Sequence, residues 1–305
     1  MKKTSEASPP GASEAAGWHW SMFADVCAIA GLNPAGARLI KFTNNAVFEL
    51  ADEPVVVRIP GSKTVQDRVE KVIAVARWLA EHDMPSVRLL NDMDQPVRVG
   101  DRKATLWQRV SGEGSTPTGR DLGRILRRYH SLPGPRFSLP PWRPMAAIRQ
   151  RIMEAERLSS TDRTFLEQCC DETEEQLGAL EFFLPSGPIH GDSFLGNLIP
   201  SPRGPVICDF DSAASGPREW DLTPVAVGKL RFNYTPDAHR EIVESYGVDV
   251  LSWPGFVVMR KLRELQLVTS VLPVLKSNPS LTDQWCHRFA TFRDGDTSAT
   301  WSPYR

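Results

Sequence analysis

The sequence predicts an α+β protein in two lobes, a small N-terminal one built on a sheet and a larger, mainly helical C-terminal one. Three observations carry this. Between Ala37 and Val110 the apolar residues come in brief runs bounded by Asn, Asp, Pro or Gly, as strands do. From Asp121 onward they recur at helical spacing over longer stretches. A Gly- and Pro-rich link, Gly112 to Thr118, separates the two patterns. The expected division is a disordered tail over 1–17, a first lobe over 18–110 and a second over 111–305.

The tail is rich in Ser, Pro, Ala, Gly and Glu and has no hydrophobic period. Trp18 to Ala30 repeats Phe23, Val26, Cys27 and Ala30 at helical spacing and stops at Gly31. Strands are expected at Ala37–Lys41, Ala46–Leu50 and Pro54–Ile59, then an amphipathic helix over Thr64–Glu81, then strands at Val87–Leu90, Val97–Val99 and Ala104–Val110. In the second lobe, helices are expected at Asp121–Leu132, Met145–Leu158, Asp162–Phe183, Trp220–Phe232, Asp237–Tyr246, Pro254–Leu272 and Leu281–Phe292. Residues Arg293 to Arg305 read as loosely ordered.

Of the 305 residues 41% are hydrophobic, enough for a packed core, and the net charge of -1 gives no general attraction to nucleic acid or anionic membrane. No apolar run approaches the ~20 residues of a membrane span, and the start lacks the apolar core of a signal peptide, so the cytoplasm is expected. Five cysteines that include an adjacent pair and no C-x-x-C suggest reduced thiols rather than a disulfide framework or a zinc site.

The chemistry concentrates in Ile189 to Asp211, IHGDSFLGNLIPSPRGPVICDFD. His190-Gly191-Asp192 is followed at a fixed spacing by Asn197, and then by an apolar run ending in Asp209-Phe210-Asp211. Phosphoryl transfer asks a protein to orient an acceptor hydroxyl, hold Mg²⁺ on the phosphates and neutralise spreading charge. A carboxylate facing the hydroxyl serves the first need, here Asp192. An amide and a second carboxylate, Asn197 and Asp209, supply the hard oxygen ligands Mg²⁺ prefers. His190 would shape the loop through hydrogen bonds, and Gly191 by its backbone freedom.

HGDSFLGN followed by CDFD resembles the aminoglycoside phosphotransferase and choline kinase family, small-molecule kinases with a protein-kinase-like fold. Gly191 stands where protein kinases carry Arg, and Gly216-Pro217 with Asp221-Leu222 is also similar to the family, over about Gly36 to Arg293. The resemblance implies an antiparallel sheet in the first lobe, ATP or GTP as donor and Mg²⁺. It implies that Asn44 and Asn45 lie in a phosphate-covering turn, although an ordinary hairpin turn remains open. Arg58, on the strand that presents Lys in kinases, would contact phosphates, with Glu70 of the next helix as its ion-pair partner; a solvated Glu70 is the alternative. Gln108 to Val110 would offer backbone groups to adenine.

The partners implied are a nucleotide and a small hydroxylated substrate, with no nucleic acid and no membrane; oligomeric state is undecided. An aminoglycoside-like or other antibiotic, hence a resistance role, is the leading acceptor class. A metabolite such as an amino sugar, nucleoside or choline-like alcohol is the other. Specificity residues are expected within 133–181 and 220–292. The acidic run Asp171–Glu175 would suit a polycation if it were not a solvated helix face, while Trp220, Arg231, Tyr234 and Arg260 would suit a sugar or nucleoside. A protein kinase is disfavoured by Gly191 and the lack of an A-P-E segment. A non-catalytic nucleotide-binding pseudokinase is disfavoured by the presence of Asp192, Asn197 and Asp209 together.

Overall fold

A computed structural model describes residues 17–91 and 93–304. The expected tail lies outside the described residues except for Gly17, which opens the first helix. The chain divides into two compact units between Glu113 and Gly114.

In the first unit, helix α1 (Gly17–Ala30) ends at Gly31, whose φ of +67° favours glycine. Strands β1 (Arg38–Phe42), β2 (Asn45–Glu49) and β3 (Val55–Pro60) follow, then a short helix α2 (Lys63–Gln66), α3 (Val69–Glu81), β4 (Val97–Val99) and β5 (Arg102–Gln108). They form one antiparallel sheet in the order β1-β2-β3-β5-β4. Period-two alternation decides its faces. Val55, Val57 and Ile59 of β3 join Ala46 and Phe48 of β2, Ala104 and Leu106 of β5, and Phe23, Val26 and Cys27 of α1 in one core. Each Val, Ile, Leu or Phe side chain among them, taken out of water, contributes roughly 1.5–3 kcal/mol. Val56 and Arg58 therefore look out on the opposite face, where Arg58 pairs in register with Val47 and Thr105.

Two expectations change here. The single helix over 64–81 is two, because Ser62 caps α2, its hydroxyl accepting from Val65 N at 3.3 Å, and the chain turns before α3 begins. The strand expected at Val87–Leu90 shrinks to one bridge, Leu89 to Trp107. Two backbone bonds flank that bridge, Leu90 N to Leu106 O at 2.8 Å and Gln108 N to Arg88 O at 2.9 Å. The ladder stops there because Leu106 N donates to the Gln95 side-chain oxygen at 2.8 Å instead of to a backbone carbonyl.

The second unit is mainly helical: α4 (Gly119–Ser131), α5 (Pro144–Glu154), α6 (Ser160–Gly178), α7 (Glu219–Phe232), α8 (Ala238–Tyr246), α9 (Phe256–Thr269) and α10 (Thr282–Arg293). Between α6 and α7 the chain makes four short strands, β6 (Gly187–Ile189), β7 (Leu198–Ile199), β8 (Val206–Ile207) and β9 (Ala214–Gly216), paired as β6–β9 and β7–β8. Thr118 and Asp121 close a capping box at the start of α4. Trp220, Met259, Leu262 and Leu265 are fully buried in the unit's core with Ile148, Leu166 and Ile189.

Residues 294–304, although mostly exposed, are anchored at several points, against the expectation of loose order. Trp301 is buried, Arg231 donates to the carbonyls of Asp296 and Ala299 at 2.7 and 2.9 Å, and Arg288 lies 3.6 Å over the Tyr304 ring. Arginine donors and ring faces hold a segment that has no apolar period of its own. All five cysteines are free. No helix among the described residues is long and apolar enough to cross a membrane.

Candidate active site

The β7–β8 hairpin draws the motif's two halves together. Leu198 pairs with Ile207, and one step further Cys208 N donates to Asn197 O at 2.9 Å, so Asn197 lies opposite Cys208 and beside Asp209. Asn197 is buried, and its Nδ2 donates to Asp192 O at 2.8 Å, tying it to the loop. That hydrogen bond leaves the Asn197 Oδ1 as the amide's remaining ligand atom. Asp209 has φ +69° and ψ 72°, a left-handed conformation that non-glycine residues adopt at a cost and that recurs at functional sites. Among the described residues no group of three or more His, Cys, Asp or Glu side chains could hold a metal ion. One carboxylate and one amide suit Mg²⁺, which completes its shell with water and phosphate oxygens.

His190 is fully buried and ties the loop to that hairpin. Its Nε2 lies 3.0 Å from Cys208 O, and Asp192 N donates toward Nδ1 at 3.4 Å. These partners assign the proton to Nε2. Gly191 has φ +84°, and a Cβ there would stand 2.2 Å from the Ser212 carbonyl oxygen, so only glycine fits.

Beneath the loop is a carboxylate, Asp221 on the first turn of α7, which the sequence offered only as part of an Asp-Leu pair. It accepts from His190 N at 2.7 Å, Gly191 N at 2.8 Å and the His130 imidazole at 3.0 Å, with no exposed surface. The other His130 nitrogen is 2.8 Å from the Tyr246 hydroxyl. Burial alone would push the Asp221 carboxyl up, but the hydrogen bond and charge of His130, with His190, outweigh it and hold the group below its usual range. Ser193 adds a hydroxyl bond to the Asp221 carbonyl, and the Trp220 indole donates to Gly191 O at 2.9 Å.

Asp192 itself is partly open, its side chain 37% exposed, and Arg263 on α9 holds one oxygen: Nη1 to Oδ1 is 3.1 Å. Arg263 was not singled out by the sequence, and the residues that were turn out to be committed elsewhere. Arg231 is buried against Glu264 at 2.7 Å, Arg260 shares that carboxylate at 2.6 Å, and Trp220 is wholly internal. Tyr234 is exposed and stacks on Phe232 at 5.3 Å between ring centroids. In the acidic run, Asp171 and Glu174 both pair with Arg149 and Glu172 pairs with Lys261. A cavity of about 500 Å³ lined by Arg120, Arg124, Arg127, Arg128 and Glu244 contains none of the loop residues.

In the first unit, Asn44 is exposed in the β1–β2 turn and Asn45, buried, opens β2; neither has a positive φ. Gly61 N donates to Asn44 O at 2.8 Å, and a Cβ on Gly61 would come within 2.9 Å of that oxygen, so the turn is pinned. Glu70 does not take Arg58 as its partner. Its carboxylate bonds Lys103 at 2.6 Å and Arg98 at 3.3 Å. Lys103 is two residues from Thr105, the register partner of Arg58, so it lies on the same sheet face; the neighbouring strand β5 thus supplies the cation the helix holds. Gln108 N donates to Arg88 O at 2.9 Å, which engages that N–H within the unit.

The sequence pattern that defines the phosphotransferase enzyme family matches residues 40–265. The chain belongs to this family. Its fold is shared with an amicoumacin kinase solved with AMP-PNP, Ca²⁺ and Ami, at a TM-score of 0.70 and 15% identity over 95% of this chain and 98% of that one. It is also shared with the choline kinase LicA of Streptococcus pneumoniae, at 0.66 and 14% over 91% and 98%. A spectinomycin phosphotransferase bound to ADP and spectinomycin gives 0.59 and 15% over 90% and 93%. No curated protein sequence matches the chain. Family and fold together make the protein a small-molecule phosphotransferase with a kinase-like, α+β architecture.

Proposed function

We propose that this phosphotransferase moves the γ-phosphoryl group of ATP to a hydroxyl of a small molecule at Asp192. The observation that carries the reading is the convergence of Asp192, Asn197 and Asp209 on one hairpin-and-loop unit, fastened from below by Asp221. Asp192 Oδ2, without a protein partner among the described residues, orients the acceptor hydroxyl and takes its proton. The acceptor oxygen bonds to the γ-phosphorus as the bond to the ADP oxygen breaks. Asn197 and Asp209 hold Mg²⁺, which when bound neutralises charge on the phosphates. Arg58 contacts phosphate, the Asn44–Asn45 turn covers it, and Val110 offers backbone groups to the base, since the Gln108 N–H is engaged. Glu70 acts at one remove, by holding Lys103.

The amicoumacin and spectinomycin enzymes support an antibiotic as acceptor. A metabolite acceptor is the second reading, favoured by the guanidinium beside Asp192 and by the internal pairing of Asp171, Glu172 and Glu174. The test compares wild type with Asp192→Asn, by product mass against a panel of antibiotics, nucleosides and amino sugars and by nucleotide titration. Loss of a general base costs about 10²–10⁴ in rate. The variant should lose turnover by that order and bind Mg-ATP like wild type. If wild type binds Mg-ATP but phosphorylates nothing, and the variant is indistinguishable from it, the protein is a nucleotide-dependent binding module instead.

A further inference from the structure

We infer that Arg263 sets the chemistry of the acceptor: the molecule phosphorylated at Asp192 carries an oxyanion, a carboxylate or a phosphate, next to the reacting hydroxyl. This rests on the phosphotransferase reading above and narrows it. Arg263 holds Asp192 Oδ1 at 3.1 Å through Nη1, which also donates to Gln266 Oε1 at 3.1 Å. Its side chain is only 15% exposed, and its Nε is buried without a partner. The guanidinium is thus largely desolvated and fixed by the helix it grows from, while Nη2 has no hydrogen bond among the described residues. An acceptor whose hydroxyl meets Asp192 Oδ2 brings its neighbouring substituent toward this fork. A carboxylate or phosphate finds a partly desolvated cation with donors in planar array, the geometry for which Arg is suited. An ammonium at the same point meets a like charge, which selects against it.

The surroundings on α9 and α6 reinforce this. Glu264 is consumed by Arg231 and Arg260, Glu172 by Lys261, and Asp171 and Glu174 by Arg149. Four of the carboxylates on these helices are thus paired, while Glu167 and Glu175 of α6 are exposed and carry no ion pair among the described residues. Arg263 is a specificity-determining residue in this account.

The test uses the full chain with Mg-ATP and three matched pairs of hydroxy compounds that differ in charge: glucuronate and glucosamine, glycerate and ethanolamine, glycerol 3-phosphate and choline. Each is scored by product mass or, where it is not phosphorylated, by the concentration that half-suppresses transfer of phosphate from ATP to water, read as release of inorganic phosphate. In at least one pair the anion should act on wild type at a concentration about tenfold lower than its cationic partner, a difference of about 1.4 kcal/mol. Arg263→Glu should invert that order and Arg263→Gln should flatten it. Melting curves establish that each variant is folded, and Arg263→Gln decides the matter if the charge reversal is not. A wild type that prefers the cations, that responds to neither member of any pair, or whose order survives Arg263→Gln overturns the inference. Absence of any Mg-ATP turnover counts against the kinase reading instead. Binding of the same pairs, followed by ligand-observed NMR on wild type and Arg263→Gln, then still decides the charge preference.

Discussion

Replacing Asp221 by Ala should damage both stability and catalysis, although the residue has no exposed surface and touches no substrate. The carboxylate receives hydrogen bonds from His190 N, Gly191 N and His130, all within 3.0 Å. Truncation leaves two backbone N–H groups and an imidazole without their acceptor in a dry interior. Leaving a buried donor without its acceptor costs about 1–3 kcal/mol, so with three donors orphaned the loss is at least about 3–5 kcal/mol, a large part of the roughly 5–15 kcal/mol by which a domain is stable. At about 2–4 °C per kcal/mol for a unit of this size, the melting temperature should fall by roughly 6–20 °C. The loop above loses two of its anchors, and a displacement of ~1 Å at a reacting group costs about 10² in rate, so the turnover number should fall while Mg-ATP affinity holds. Asp221→Asn keeps an acceptor and should lie between the two. The sign with pH follows from the depressed carboxyl. Its contribution is complete above the unfolded value of 3.8 and is lost as pH falls through the lower folded one, so the gap between wild type and Asp221→Asn should narrow only in that acid range. Urea denaturation from pH 7 to pH 3, with amide exchange at His190 and Gly191, measures all of this. A melting loss under about 2 °C with unchanged turnover would refute the clamp.

Asp209→Ala should abolish Mg-ATP turnover and lower the melting temperature by a few degrees at most, because Ala must keep the left-handed backbone that Asp tolerates better; retained turnover would move the metal elsewhere. Arg58→Ala should raise the Michaelis constant for ATP more than that for the acceptor, with Arg58→Lys partly tolerated since the planar fork is lost; equal effects on both substrates would remove Arg58 from the nucleotide site.

The residues legible in the sequence are those whose chemistry forces a residue type into a fixed local spacing. His190, Gly191, Asp192, Asn197 and Asp209 fall within one loop and one hairpin, and the structure brings them together there. Most strands and helices were legible to within a few residues for the same reason, that their apolar period is local. The exceptions are the strand at Val87–Leu90, reduced to a bridge, the helix over 64–81, split in two, and the helix expected to reach Phe183, which ends at Gly178. What escaped depends on which distant side chains meet. Arg263 reaches Asp192 across 71 positions and His130 reaches Asp221 across 91, and no periodicity marks such pairs. Arg231 and Arg260 looked available to a ligand because a sequence gives their charge and not Glu264 between them. Glu70 was expected to serve Arg58, yet Lys103 on the adjacent strand takes it, a choice made by side-chain reach across the sheet face.

The first turn of α7 explains why two carboxylates are wholly buried in a mainly apolar core. Glu219 accepts from Phe183 N and Leu184 N at 2.7 Å each, just before β6, and Asp221 accepts from His190 N and Gly191 N just after it. The strand that leads into the Asp192 loop is thus hung from one helix terminus at both ends. That terminus carries the positive end of the helix dipole, which favours buried carboxylates there over any other point along α7. Apolar residues at 219 and 221 could fill the volume, but they would leave four backbone N–H groups on the flanks of β6 without acceptors. The loop of Asp192 would then keep its bonds to Cys208, Asn197 and Trp220 but lose the two backbone anchors beneath it, which act as directed, charge-assisted hydrogen bonds in a medium of low dielectric.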